Sequence, residues 1–529
     1  MAKLTAPDYV IIAAYLTGVV VMGLYFSRRQ KSLNEYFLAS GNMPWWAVAV
    51  SLHATLLSPV TFLGMAGWIY AKDSRSSFGN MLLIMPVMYF SAVLWVPIWN
   101  RLRVLSIYEY LEKRYHPTVR SFAAALFPVG ILFWVGNGLV TASKAFSMVA
   151  FSNVSDVQVY TCLVAIMILG TTYTVLGGAR AVVWTDVIQA AVFFVAYAAS
   201  LLMLLAHFGW EPARIYEIAS SISAKDWGYS HATLISTELS LAIEATIWVI
   251  IFTRILEIVT FGTNQTFVQR LLATGSHRNM MKAMLGKGGV DMIFLILGIA
   301  TAWGLVAYYH ENAEAAASVG HKDNVLAVFV VAQMPVVLRG VIMAGLFAAL
   351  MSTFDSAINS ISSVTINDFY RRYCKRDGSE HHYVAVSRII TIGFGFVLLA
   401  YAMWQYKHSA NTVNQRLGEL NNLVVAPLLC FFVLGIFSRR ANTLGVLIGG
   451  FVGIIFALLF QGFPGWFEPP IFKGVSGWFE APLKDVKINW MWIGGMATLV
   501  GLASGYAASL LFAPPPKDKT EGLTVWRRQ

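Results

Sequence analysis

Charged residues are scarce in this chain. Only 12% of its 529 residues are Asp, Glu, Lys or Arg, whereas 57% are hydrophobic. A soluble domain carries about twice that charged fraction. The apolar residues come in blocks of about 20 with few or no charges, which is the length that the hydrocarbon core of a bilayer requires. This composition excludes a large soluble protein and indicates a polytopic membrane protein.

Cysteines and catalytic motifs are equally scarce. The chain has three cysteines, and Cys162, Cys374 and Cys430 lie far apart, without the spacing of a metal cluster or a disulfide framework. No Walker A sequence, no fused soluble domain and no nucleophile–base pair can be identified. We therefore expect a protein that is not an enzyme, binds no organic cofactor and is not driven by ATP.

The basic residues concentrate in alternate loops. The net charge of +11 could indicate a nucleic-acid partner, but Lys and Arg, including Arg28, Arg270 and Lys287, cluster in short loops between apolar blocks. The positive-inside rule places such loops in the cytoplasm. We therefore expect a plasma (inner) membrane protein with its N-terminus outside and its C-terminus in the cytoplasm. The expected partners are the lipid bilayer, a small solute and a coupling ion, with neither nucleic acid nor an obligate protein partner.

The apolar blocks predict an all-α fold with about 13 transmembrane helices. Their approximate limits are 8–27, 44–71, 79–98, 120–149, 157–177, 180–207, 239–263, 283–309, 335–368, 386–405, 416–437, 443–462 and 488–512. The second, sixth and ninth blocks carry polar residues inside. Such residues are functional candidates because the hydrocarbon region tolerates them poorly.

The ninth block contains a polar helical face. Ser352, Asp355, Ser356 and Asn359 share this face, and Thr353 borders it. Hydroxyl, carboxylate and carbonyl oxygens are the ligands that a hard cation such as Na⁺ requires. The Ser and Thr hydroxyls could instead bond to carbonyls of their own helix, but a carboxylate inside a membrane needs a cation, a proton or a basic partner. The face therefore predicts an ion site.

Chain-breaking residues stand next to polar ones in two further blocks. Pro59 in the second block frees a carbonyl upstream, which predicts either a simple kink or a broken helix with exposed carbonyl oxygens. Just before the sixth block, Gly177 and Gly178 break the chain ahead of Asp186, whose alternative role is an acid favoured by the helix dipole. In the seventh block Arg254 and Glu257 are three residues apart and could pair with each other. These positions are candidate ion or solute sites.

At these residues the chain resembles the sodium/solute symporter family. The segments EYFLASGNMPWWAVAVSL, SIYEYLEKRY, AVVWTDVIQ, NQTFVQR and LMSTFDSAINS…DFY follow the family's order and spacing over nearly the whole chain. The resemblance implies a LeuT-like core of two inverted five-helix repeats. The implied boundaries are 1–43 for an extra helix and a cytoplasmic loop, 44–207 for the first repeat, 208–238 for an external loop, 239–437 for the second repeat, 438–512 for two further helices and 513–529 for a cytoplasmic tail.

The resemblance also implies sodium sites. The ligands of the first site correspond to Ala54, Leu57, Ala349, Ser352 and Thr353. A second site, present in only some members, corresponds to Asp186, Ser352, Asp355 and Ser356. This chain departs from the family at Asp355, where a small hydroxyl residue or alanine is usual. Two carboxylates at one site would bind a cation more tightly, or one of them would hold a proton, so one sodium ion or two remain open.

The implied solute site departs further from known members. Its candidate residues are Ser58, Thr61, Asn80, Arg254, Glu257 and Thr260. The sugar-contacting asparagine of galactose transporters falls at Glu257, and the carboxylate-binding arginine of sialic acid transporters falls near Trp134 or Gly136, without an arginine close by. We expect sodium-coupled import of a neutral sugar or polyol by alternating access. The alternatives are a monocarboxylate or sialate-like anion, bound by Arg254, and a transporter-like membrane sensor.

Overall fold

The computed structural model describes residues 5–27, 32–56, 59–151, 155–223, 229–408, 413–461 and 488–525. Within these ranges the regular structure is helical, apart from one isolated bridge between Ser223 and Ser230. The α-helices α1 to α19 are Ala6–Ser27, Leu33–Leu38, Trp45–Leu56, Pro59–Ala71, Arg75–Leu102, Tyr108–Arg114, Pro117–Phe151, Asp156–His207, Pro212–Ser221, Ile247–Thr263, Gln265–Leu272, His277–Glu311, Ala313–Ala317, Val325–Gln333, Val336–Val364, Glu380–His408, Val413–Phe437, Thr443–Gln461 and Trp490–Leu511.

Nine of the described helices are long and apolar enough to cross a membrane. They are α1, α5, α7, α8, α12, α15, α16, α18 and α19. The pair α10 and α11, which is bent by 57° at a short break, would make a tenth crossing if it is counted as one span. The prediction of an all-α polytopic protein is therefore confirmed at this level.

Helix α8 is too long for a single crossing. Its 52 residues would extend about 78 Å if straight, more than twice the thickness of a hydrocarbon core. The helix is kinked at Gly178, where φ is +57° and ψ is −163°. Only glycine adopts such a conformation without a steric penalty. This kink lies between the two blocks that the sequence predicts as the fifth and sixth spans.

The seventh block begins later than predicted. The limit at residue 239 was wrong, because α10 starts at Ile247. The preceding residues turn instead: the Ser240 hydroxyl accepts hydrogen bonds from the N–H groups of Ala242 and Ile243. The Trp248 indole then donates to the Thr237 carbonyl at 3.0 Å. These local bonds satisfy backbone and side-chain groups outside the helix, which removes the need for helical pairing there.

Helix α3 lies inside the bundle. Helix α3 packs between α8 and α12, and it also contacts α11 and α15. Helix α15 in turn packs against α8 and the N-terminal α1. Close approach of α1 and α8 requires glycine, since a Cβ on Gly23 would lie 2.8 Å from that of Tyr173. The end of α3 is thus surrounded by the helices that carry the polar residues singled out in the sequence.

An ion-pair network joins α6 and α7 to the end of α15. Glu112 of α6 pairs with Arg120 of α7 at 2.8 Å and with Arg372, which lies in the π-helical continuation Thr365–Cys374 of α15. Arg120 also donates to Asp368 at 2.6 Å. Hydrogen bonding from Arg372 lowers the pKa of Glu112 to about 2. The carboxylate of Glu112 therefore stays charged under ordinary conditions.

Candidate ion and solute site

The last described turn of α3 contacts α15 through a hydrogen bond. The Ser352 hydroxyl donates to the Ala54 carbonyl oxygen at 3.0 Å, and both residues are fully buried. Leu56 is the last described residue of α3, and its carbonyl oxygen accepts a hydrogen bond from the Thr61 hydroxyl of α4 at 3.2 Å. Thr353, also buried, follows directly on α15. The contact therefore places a hydroxyl oxygen of α15 beside a carbonyl oxygen of α3.

The remaining predicted residues of the first sodium site are described less fully. Leu57 lies outside the described residues, and so does Ser58 of the predicted solute site. Ala349 belongs to α15, one turn before Ser352 and Thr353. Among the five predicted ligands, the structure thus brings Ala54 and Ser352 into contact and places Ala349 and Thr353 on the same helix as Ser352.

The carboxylate of Asp186 lies at the other side of the same turn. Its Oδ2 accepts a hydrogen bond from the Ser51 hydroxyl at 2.5 Å and one from Arg270 Nη2 at 3.2 Å. Asp186 is fully buried, and its Oδ1 has no hydrogen-bond partner among the described residues. A buried carboxylate oxygen without a partner is costly. Such an oxygen is therefore available to a cation.

Asp355 joins this cluster from α15. Its Oδ2 accepts a hydrogen bond from the Tyr173 hydroxyl, and its Oδ1 lies 3.1 Å from the Ser356 hydroxyl. Arg270 donates to that same Ser356 oxygen. The structure therefore brings Asp186, Asp355 and Ser356 together around one guanidinium group. We call Asp186, Asp355 and Arg270 the acid cluster; with both carboxylates ionised, it carries one negative charge in excess.

Arg270 is the residue that sequence reasoning missed. It was expected to mark a basic exit from the membrane, and this was wrong, because its side chain is buried beneath α3. The cause is the 57° bend between α10 and α11. Asn264 caps α11 by accepting a hydrogen bond from the Thr266 N–H at 2.9 Å, which redirects the chain into the bundle. An asparagine immediately before a short amphipathic segment was the available signal.

Arg254 and Glu257 form the predicted pair on α10. They are in direct contact, and each side chain is 22% exposed. They share a helical face with the buried residues Ile250 and Phe261, so they point toward the interior rather than toward lipid. Glu257 binds Nη1 of Arg254, whereas Nε of Arg254 is buried without a partner among the described residues. One edge of the guanidinium group is thus unused.

The other predicted solute residues are less distinctive. The Thr260 hydroxyl donates to the Leu256 carbonyl of its own helix at 3.0 Å, and the Thr61 hydroxyl of α4 donates to the Leu56 carbonyl of α3 at 3.2 Å. Asn80 is half-buried on α5.

The region near Trp134 and Gly136 offers little room for a long side chain. A Cβ on Gly136 would lie 2.3 Å from the Tyr401 ring. Arg254 is therefore the better-placed arginine of the positions considered for a bound anion.

A family model described as the sodium:solute symporter family matches residues 36–453. The chain belongs to this family. Among its relatives are the sodium/sialic acid symporters NanT of Aliivibrio fischeri, 30% identical over 84% of this chain and 85% of that protein, and SiaT of Proteus mirabilis, 29% identical over 85% and 88%. The sodium/glucose cotransporter of Vibrio parahaemolyticus is 26% identical over 86% of this chain and 85% of that protein.

A solved structure supports the same assignment. The chain is similar to a Na⁺-coupled sialic acid symporter in a substrate-bound outward-open state, with a TM-score of 0.83 and 26% identity, over 97% of this chain and 99% of that one. The family and these relatives are transporters, which fits the expectation that the chain is not an enzyme. As a member of the sodium:solute symporter family, the chain is an integral membrane protein.

Proposed function

We propose that this chain imports a small organic anion together with Na⁺, by alternating access. The observation that carries the proposal is the unused Nε edge of Arg254. A guanidinium edge binds a carboxylate through two parallel hydrogen bonds. Glu257 holds the opposite side of the group and can also accept hydrogen bonds from solute hydroxyls. A sialate-like solute, which combines a carboxylate with hydroxyl groups, matches both residues.

The relatives favour this proposal over the neutral sugar that the sequence first indicated. The two relatives named as sialic acid symporters are 30% and 29% identical, whereas the glucose cotransporter is 26% identical. A further relative, human sodium-coupled monocarboxylate transporter 1, is 27% identical, and its name also indicates a carboxylate solute. A neutral sugar or polyol is the second candidate, because Glu257 by itself would suit hydroxyl groups.

We infer two cation sites beside the solute. The first comprises Ala54, Leu57, Ala349, Ser352 and Thr353, and its support is the contact between the Ser352 hydroxyl and the Ala54 carbonyl. The second comprises Asp186, Ser352, Asp355 and Ser356. Its support is the excess negative charge of the acid cluster and the unpartnered Oδ1 of Asp186. A second Na⁺ or a proton would balance that charge.

We propose a LeuT-like arrangement for the whole chain. The kink within α8 and the bend between α10 and α11 support this proposal, which keeps the 13 crossings predicted from the sequence. Inverted repeats over residues 44–207 and 239–437 would then place the first helix of each repeat near the centre of the bundle, where secondary transporters bind ions and solutes. The N-terminus would lie outside and the C-terminus in the cytoplasm.

The proposal is tested by the thermal stability of the purified protein with candidate solutes. A sialic acid, a monocarboxylate and glucose are each added with Na⁺ or with K⁺ at equal ionic strength. Because a ligand stabilises the state that binds it, we expect a sialic acid to raise the melting temperature only when Na⁺ is present. Stabilisation by glucose alone would favour the sugar candidate.

A matched pair of arginine variants then tests the anion site. Arg254→Gln should abolish the stabilisation by the acid and retain the response to Na⁺. Arg214→Gln is the control, since Arg214 is half-exposed and pairs with Glu311. Loss of solute binding in both variants, or in neither, would contradict the assignment of Arg254.

A further inference from the structure

Three ionisable side chains meet between α3 and α12, outside the acid cluster. Asp291 lies one helical turn beyond Lys287 on α12 and is in direct contact with its ammonium group. The other oxygen of Asp291 lies 2.6 Å from Nδ1 of His53, near the end of α3. Lys287 and His53 are buried, and the Asp291 side chain is only 12% exposed. Ionisable groups in such surroundings are costly and are typical of functional positions.

Lys287 and Asp291 balance each other without His53. They form an i,i+4 pair on one helix, and Lys287 also lies over the Phe261 ring at 4.8 Å. The ammonium group keeps the Asp291 carboxylate ionised. Since an ionised carboxylate has no hydrogen to donate, Nδ1 of His53 must donate to it. His53 is therefore anchored to α12 by a fixed acceptor, and its ring packs against Phe294 at 4.3 Å between centroids.

The opposite side of α3 is anchored in a similar way. Ser51 and His53 are two residues apart, so their side chains point about 200° apart around the helix. The Ser51 hydroxyl donates to Asp186 at 2.5 Å and accepts a hydrogen bond from Arg270 at 2.8 Å. The last turn of α3 is thus fixed to α8 and α11 on one side and to α12 on the other. Ala54 follows immediately after these two anchors.

We propose that His53, Asp291 and Lys287 form a positioning unit for the Ala54 carbonyl oxygen. The inference rests on the sodium site proposed above and adds residues that do not touch the ion. The unit prevents the end of α3 from rotating away, so the Ala54 carbonyl is already in place when Na⁺ arrives. A ligand group that is ordered beforehand loses less conformational entropy on binding, which strengthens binding.

The test compares two substitutions of His53 by the Na⁺ dependence of thermal stability. The purified protein is titrated with NaCl against choline chloride at constant ionic strength. His53→Asn retains an N–H donor at the position of Nδ1 and should stay within about threefold of wild type in the Na⁺ concentration for half-maximal stabilisation. His53→Leu removes the donor and should raise that concentration about tenfold, which corresponds to about 1.4 kcal/mol. Stability without Na⁺ is measured in parallel.

A double variant tests the proposal without leaving a buried charge unpaired. Lys287→Met combined with Asp291→Leu removes both charges together, which proteins tolerate better than the loss of one partner. It should weaken Na⁺ binding as much as His53→Leu does. Adding His53→Leu to it should cause no further loss, because residues of one unit are not additive.

The outcomes separate this inference from the sodium site itself. If the wild-type protein gains no stability from Na⁺, the sodium site is wrong and the positioning unit is wrong with it. If the wild type responds but His53→Leu shifts only the stability without Na⁺, the three residues serve folding alone and the inference is overturned. Additive losses in the triple variant would overturn it as well.

Discussion

Two buried charge clusters lie on opposite sides of α3, and they differ in their balance. In the acid cluster, the Arg270 guanidinium group pairs with Asp186 and reaches Asp355 only through the Ser356 hydroxyl, so a negative charge is left over and one carboxylate oxygen has no partner among the described residues. In the unit of His53, Asp291 and Lys287, one carboxylate faces one ammonium group and the charges cancel. The first arrangement can gain from a mobile cation, whereas the second has no charge left to balance, although Nε2 of His53 is buried without a partner among the described residues.

This difference suggests a division of labour around the proposed sodium site. A cluster that is short of positive charge is stabilised when an ion arrives, so its geometry responds to the ion. A cluster that is already neutral has no such response and can serve as a fixed reference. The Ala54 carbonyl lies between the two, on the same helical turn as Ser51 and His53. Four substitutions can break or sharpen this comparison.

The largest effect is expected from Arg270→Gln. Removing the only cation of the acid cluster leaves two buried carboxylates facing each other, and breaking a buried ion pair costs about 3–5 kcal/mol. We expect a marked fall in melting temperature and in folded yield from detergent. The measurement is fluorescence-detected size exclusion after heating.

The matched control for Arg270→Gln is the double variant Arg270→Gln/Asp186→Asn. It removes one negative charge together with the positive one and should recover much of the lost stability. If Arg270→Gln alone is as stable as wild type, the guanidinium group does not balance the cluster.

Asp355→Ser should have the next largest effect, on ion coupling rather than on folding. The substitution introduces a small hydroxyl residue, the type that the family resemblance implies at this position, and it removes the excess negative charge of the acid cluster. We expect the charge moved per solute to change, or the apparent affinity for Na⁺ to fall about tenfold. The measurement is solute-driven current and Na⁺ dependence in proteoliposomes.

Ser362→Ala serves as the control for Asp355→Ser. Ser362 lies on the same helix, and its hydroxyl donates to the Ser387 carbonyl at 2.9 Å, away from the cluster. An Asp355→Ser variant with the coupling ratio, Na⁺ dependence and pH profile of wild type would show that Asp355 has no part in ion coupling.

A smaller effect is expected from Ser352→Ala. The Ser352 hydroxyl is one of about five oxygens expected around the first Na⁺, so its loss should weaken binding severalfold and leave folding intact. The Na⁺ concentration for half-maximal uptake measures the change. Ser200→Ala is a fitting control, because its hydroxyl only bonds to the Ala196 carbonyl of its own helix. If Ser352→Ala and Ser200→Ala show the same Na⁺ dependence, the Ser352 hydroxyl is not a ligand of the first Na⁺.

The residues of the acid cluster were partly accessible from the sequence. Asp186 and Asp355 stand out because each is a carboxylate within an apolar block, and hydrocarbon requires a reason for that. Gly178 and Pro59 likewise predict breaks from backbone chemistry alone. What the sequence could not give was the partner: Arg270 follows a bend, and its direction depends on how α11 packs against α3.

The positioning unit was inaccessible for a different reason. Lys287 was expected among the basic residues of a cytoplasmic loop, although the eighth block was predicted from residue 283. That expectation was wrong: α12 begins at His277, and Lys287 is buried ten residues into the helix. Lys287, Asp291 and His53 compensate each other's polarity only after α3 and α12 pack. Local hydropathy cannot report a compensation that arises between distant segments.

The smallest effect is expected from Glu112→Gln, in the network that joins α6 to the end of α15. Its side chain is 28% exposed, and partly solvated ion pairs contribute about 1 kcal/mol or less. The pKa of Glu112 is lowered to about 2 from 4.5, so its stabilisation is present above pH 4.5 and is lost only as the pH falls toward 2. The difference in melting temperature between wild type and Glu112→Gln should therefore stay constant between about pH 5 and pH 8. A difference that shrinks within this range would show that the pair titrates there.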